Sequence, residues 1–215
     1  MEYLEVCAQI LAICRRMQEL GLIYGTWGNV SARYGEGFIV TPSRLDYDVM
    51  VPEDMVYLDF EGHVLRGERL ATSERDIHRL ILKARPDLGA VVHTHSPCAC
   101  AAAAAGLTLE PIIEEIPQLI GGAVRSTPRY VPALDHMKLA EETVAALGGV
   151  NAVLIRNHGP MCGGGDLAEA LLCAQVVEKA ARMQIMLMGG AAYEPIAPEY
   201  VHAERRRYVE KYGKE

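Results

Sequence analysis

The chain has no excess of basic residues, no C-x-x-C pair and no long apolar run, and each absence removes a class of protein. Its formal charge is −7 with a pI near 5.5, so it lacks the positive face that a general nucleic-acid binder needs. An anionic ligand stays open, because backbone N–H groups in a turn can hold a phosphate without a basic surface. The six cysteines, Cys7, Cys14, Cys98, Cys100, Cys162 and Cys173, are scattered through helix-like or Ala/Gly-rich surroundings. That pattern reads as small buried hydrophobes in a reducing compartment, not as a disulfide framework. Cys98-Ala99-Cys100 keeps a soft-metal pair open beside it. No run of about 18 apolar residues occurs, and the N-terminus carries no basic–apolar–small pattern, so the expectation is a cytoplasmic chain with no membrane partner. Repeats and low-complexity tracts are missing too. What remains is a composition of 50% hydrophobic and 23% charged residues, that of an ordinary globular protein, and the expectation is one domain over residues 1–215.

The apolar spacing over residues 2–20 predicts an amphipathic helix stopped by Gly21. Two short strands joined at Gly35-Glu36-Gly37 follow, and a second hairpin turns at Glu61-Gly62. A helix is predicted from Thr72-Ser73-Glu74 to Arg85, with Ser73 and Asp76 as a capping box and Pro86 as its stop. Residues 89–94 read as a buried strand and 97–105 as an Ala-rich helix. Residues 112–116 and 122–125 read as strand or loop pieces. Helices are expected over 136–147, 167–188 and 199–212, with a strand over 150–156 and a turn from Asn157 to Pro160. Strand pairs and helices interleave without a βαβ rhythm, which predicts a mixed or antiparallel sheet covered by helices on both faces.

The chemistry gathers around Val91-Val92-His93-Thr94-His95-Ser96. In a strand, residues i and i+2 share a face, roughly 6.5 Å apart, so His93 and His95 would present two imidazoles side by side. Such a pair begins a metal site or is simply a solvated, hydrogen-bonded pair. His158 stands at a second strand-to-turn junction and brings the count to three, although by itself it also reads as a turn residue bonded to backbone. Glu74, at a helix N-terminus where the dipole favours a carboxylate, is either a helix-end charge or an acid–base group beside a metal. Gly28-Asn29, Ser43-Arg44 and Thr72-Ser73 are three polar turns that together could cradle an anion. His63, His78, His136 and His202 read as surface or helix residues. Lys83, Lys138 and Lys179 read as helix surface, and no Schiff-base lysine stands out.

Gly25-Thr26-Trp27-Gly28-Asn29-Val30-Ser31, Thr41-Pro42-Ser43, Ser73-Glu74, His93-Thr94-His95-Ser96 and Asn157-His158-Gly159 stand in the order found in the class II aldolase/adducin-head family. The chain resembles that family over nearly its whole length, its fuculose-phosphate aldolase branch most. The resemblance implies an α/β/α three-layer fold around a largely antiparallel sheet. It also implies Zn²⁺ held by His93, His95 and His158, with Glu74 as fourth ligand at rest and acid/base in turnover. A ketose 1-phosphate would be the partner, its phosphate lying among Gly28, Asn29, Ser43, Arg44, Thr72 and Ser73. Cleavage would give dihydroxyacetone phosphate and an aldehyde, in a homotetramer with a site at each subunit boundary.

Three positions bear on the reaction. Glu115 stands where the aldolases carry a tyrosine, and it resembles the base of the methylthioribulose-phosphate dehydratase branch; as a bare residue it reads equally as an acidic edge. Tyr212 matches the aldolases' C-terminal catalytic tyrosine. Ser43-Arg44 replaces a frequent Thr-Gly. A sugar-phosphate dehydratase, 4-epimerase or decarboxylase therefore stands as the alternative on the same metal site. A non-enzymatic scaffold like the adducin heads would be expected to lack ligands, and none is missing here.

Overall fold

The computed structural model describes residues 2–211. Its strands are β1 (Asn29–Tyr34), β2 (Gly37–Val40), β3 (Val56–Asp59), β4 (Val64–Arg66), β5 (Ala90–His93), β6 (Ala152–Ile155) and β7 (Gly159–Gly164). The α-helices are α1 (Tyr3–Glu19), α2 (Arg75–Ala84), α3 (Pro97–Ala105), α4 (His136–Leu147), α5 (Leu167–Leu187) and α6 (Pro198–Lys211). The strands form one sheet in the order β4-β3-β2-β1-β5-β7-β6, and every neighbouring pair runs antiparallel.

Alternation along the strands splits the core in two. Val30, Ala32, Ile39, Val92, Leu154 and Cys162 pack with α1, α3 and α5 on one face. Phe38, Val40, Val91, Val153, Ile155 and Met161 pack with α2 and α4 on the other. A strand with apolar side chains on both faces is stable only when both are covered, and helices on each side do this. The three-layer α/β/α fold with a largely antiparallel sheet is therefore the one expected. The alternation also decides where polar side chains go. His93 shares the Val91 face and Asn29 and Ser31 lie opposite the Val30 face, so all three point toward α2, with Asn29 directly across from His93 in the β1–β5 pairing.

Four local readings change. The stretch from Gly159 to Gly164 is a buried strand, not a turn running into a helix. Its composition (Gly, Pro, Met, Cys, Gly, Gly) hides it from strand propensity, yet the glycines are there because backbone crowds them: a Cβ on Gly164 would lie 2.3 Å from Ala170 N, and one on Gly159 2.3 Å from Thr94 O. β5 ends at His93, so His95 lies just past the strand, where its N–H bonds to Leu22 O at 3.1 Å. Helix α2 starts at Arg75 with Glu74 as its N-cap and no side-chain cap; the expected Ser73–Asp76 box is not formed. Residues 116–120 wind as a π-helical turn, and the strand or loop pieces expected around them are loop apart from a Leu109–Val124 bridge.

Candidate active site

Three segments remote in sequence bring the titratable groups together. His93 comes from the end of β5, fully buried, and its Nδ1–H donates to Pro160 O at 2.9 Å. That bond fixes the neutral tautomer and leaves the Nε2 lone pair facing into the site. His95 brings its Nε2 to 2.9 Å from that of His93. His158 sits in the tight β6–β7 turn, where Asn157 takes a left-handed conformation, φ 57°, one that asparagine tolerates better than most residues. Cys100 Sγ–H donates to His158 O at 3.0 Å and steadies that turn; Cys98 and Cys100 take no part in the one cluster of metal-ligating groups found among the described residues.

Glu74 reaches in from the N-terminus of α2, its Oε1 2.9 Å from His158 Nε2 and its Oε2 3.5 Å from His93 Nε2. Burial alone would raise its carboxyl, but the His93 and His158 rings and the Asn29 amide outweigh that and hold it well below the usual carboxylate range. The imidazoles shift the other way from their ordinary value. Burial lowers His93 to about 3 and His95 to about 4. Near neutrality those two rings are uncharged and can offer lone pairs, beside an ionised carboxylate.

This donor set fits a divalent cation. The ring nitrogens of His93, His95 and His158 all lie within 4.8 Å of one another, a spacing at which a single cation could be shared among them. Glu74 stands beside them, where a carboxylate oxygen could add to the three nitrogens. The metal-ligand set expected from the sequence is brought together whole.

A cavity of about 560 Å³ opens over the cluster. Gly28, Asn29, Ser43, Arg44, Thr72 and Ser73 all line it together with Glu74, His95 and His158, so the three polar turns do converge. Arg44 is the one Lys or Arg among these lining residues, and its φ of 57° puts it in a left-handed conformation that costs a non-glycine residue on the order of 1 kcal/mol. Trp27 also lines the cavity, exposed, with its ring centroid 5.5 Å from that of His95. In the sequence Trp27 stands only as one residue of the Gly25–Ser31 motif, with no role of its own. Glu115 is elsewhere: it precedes the π-helical turn, pairs with Lys179 and is not in the cavity lining. Lys179 lies on the helix surface as expected, where it also pairs with Glu115. Tyr212 lies outside the described residues.

The sequence matches the family described as Class II Aldolase and Adducin N-terminal domain over residues 8–185. The chain belongs to that family. Among relatives of the class II aldolase domain, it is 36% identical over 172 residues to the 5-methylthioribulose-1-phosphate/5-deoxyribulose-1-phosphate aldolase of Rhodospirillum rubrum, covering 80% of this chain and 76% of that one. It is 33% identical over 210 residues to the 5-deoxy-D-ribulose 1-phosphate aldolase of Bacillus thuringiensis, covering 96% of each. The fold superposes on a solved L-fuculose 1-phosphate aldolase with a TM-score of 0.90 at 26% identity, over 95% of this chain and 96% of that one. These class II aldolases are aldehyde-lyases, and that is the enzyme class of this chain.

Proposed function

We propose that the chain is a zinc-dependent aldolase that cleaves a ketose 1-phosphate, of the L-fuculose 1-phosphate or 5-deoxypentulose 1-phosphate kind, to dihydroxyacetone phosphate and an aldehyde. One observation carries the reading: Glu74, His95 and His158 line a cavity, with the buried His93 ring directly behind them, and its walls are hydroxyl-rich turns and one arginine. The named relatives act on substrates of this class.

The phosphate dianion is assigned to the turns of Gly28, Asn29, Ser43, Arg44, Thr72 and Ser73, where hydroxyls and backbone donors are reinforced by the Arg44 guanidinium. Anchoring that end fixes C3 over Glu74. As the C3–C4 bond breaks, the C4 hydroxyl loses its proton and leaves as the aldehyde, and the electron pair stays with C3 in conjugation with the C2 carbonyl. Zn²⁺ held by His93, His95 and His158 would act as a Lewis acid toward the negative charge on the substrate oxygens. Glu74, ionised at rest, takes up a proton equivalent to the one released from the C4 hydroxyl and delivers it to C3, which completes dihydroxyacetone phosphate; in the synthetic direction it abstracts that proton. Tyr212 is assigned to the proton on the aldehyde oxygen, from a neighbouring subunit of a cytoplasmic homotetramer. Glu115 is left outside the acid–base set, because Lys179 engages it and it does not line the cavity.

The test is an assay of the zinc-loaded protein for dihydroxyacetone phosphate released from L-fuculose 1-phosphate, 5-deoxyribulose 1-phosphate and 5-methylthioribulose 1-phosphate. Release from at least one is expected, with Glu74→Gln slower by roughly 10²- to 10⁴-fold and Glu115→Gln within a few-fold of wild type. Release from none sinks the proposal, and a collapse confined to Glu115→Gln with loss of water from the substrate would assign the site to dehydration instead.

A further inference from the structure

Directly behind Glu74 runs a buried line of hydrogen bonds that meets the cavity wall only at Asn29. His78 lies on α2 one turn after Glu74 and is fully buried, as is Ser31 on β1 beneath it. Its Nδ1 is 2.7 Å from Ser31 Oγ and its Nε2 is 2.5 Å from Asn29 Oδ1. Asn29 in turn donates from Nδ2 to Glu74 Oε2 at 2.6 Å. An ionised carboxylate only accepts, so the amide NH₂ must face Glu74 and the amide oxygen must face His78. His78 Nε2 then has to donate, and its Nδ1 accepts from the Ser31 hydroxyl. The other tautomer would turn the Asn29 oxygen toward the carboxylate, oxygen against oxygen, where no water compensates.

The geometry points to His78 as a positioning residue that acts through Asn29 to aim and hold the Glu74 carboxylate. It is not a catalytic residue, because it is enclosed by protein and does not line the cavity. The line begins on the central strand β1, so the carboxylate is tied to the rigid sheet as well as to the end of its own helix. Asn29, placed by sequence in the phosphate turn, thereby has its amide committed to Glu74.

This inference rests on the acid–base role proposed for Glu74, and its test separates the two. Nitrogen-15 spectra of histidine-labelled wild-type protein at pH 7 should show His78 as the neutral Nε2–H tautomer; an Nδ1–H tautomer overturns the inference with no assay of activity. His78→Leu, which cannot donate, should lower kcat on whichever ketose phosphate is cleaved by roughly 10- to 100-fold, with KM changed less than threefold. His78→Gln, whose amide can donate to Asn29, should recover most of that loss. A glutamine variant as slow as the leucine one, while still folded, overturns the inference. Should His78→Leu not fold, the tautomer and the glutamine rate decide the matter. If Glu74→Gln keeps full kcat, it is the acid–base reading that fails, and the tautomer result stands apart from it.

Discussion

Enclosure on every side sets the charge state of His78. Burial disfavours the cation, and the neighbouring His93 works in the same direction, so its pKa falls from 6.5 to about 3. Across that window the unfolded chain holds the proton and the folded chain does not, so stability falls as pH drops below about 6.5. Between pH 7 and 5 one such histidine should cost roughly 2 kcal/mol. Urea unfolding of metal-free wild type and His78→Gln at the two pH values should therefore show the wild type losing more by about that amount, since His93 and His95 contribute alike to both proteins. Equal losses would mean that the ring is protonated in the folded state. The residue scale also shows where side-chain identity was opaque: nothing adjacent to His78 in the chain announces Ser31 and Asn29, which meet it only when α2 lies across β1.

Among the elements, the approach to β1 is tightly constrained. Gly28 has φ 119°, and an added Cβ would meet Ile23 Cγ2 at 2.6 Å and His93 O at 2.9 Å. A side-chain methyl can yield, but the carbonyl is held in the sheet next to the position where Asn29 pairs with His93. Gly28→Ala should cost about 1–3 kcal/mol, seen as a Tm lower by several degrees, and should depress activity by moving Asn29 against His93. Gly149→Ala, with open space around its Cα, should stay within about 0.5 kcal/mol of wild type. A similar fall in both would refute the steric account. Long amphipathic helices such as α1 and α5 were legible from apolar spacing. β7 was not, because its glycines answer to the backbone of the β5–α3 segment and of α5 and not to any local rule.

For the whole molecule, the proposed ligand set spans the end of β5, the β6–β7 turn and the start of α2, elements that are far apart in sequence and meet only in the folded sheet. A cation that binds this set and not the unfolded chain should stabilise the fold, by about 2.7 kcal/mol at a free concentration 100 times its Kd. For a chain of this size that is a rise in Tm of roughly 5–10 °C. Thermal melts in zinc and in chelator should differ by that much, and His93→Ala should remove the difference. An unchanged Tm in wild type at saturating zinc would count against a metal in the cluster.

The sequence by itself determined the layered class, the order of the motifs and the pairing of His93 with His95 on one face, because alternation and short spacings are local properties of the chain; the set of four expected metal-site residues came from the family resemblance. Only the tertiary structure decided that Asn29 serves Glu74, that His78 lies beneath it, that Arg44 holds a strained conformation at the cavity wall and that Glu115 is paired elsewhere. Those outcomes depend on which backbones approach each other, and long-range register is set by packing rather than by neighbours in sequence. The histidine pair could be read from two letters, but the hydrogen bonds behind its glutamate needed the sheet.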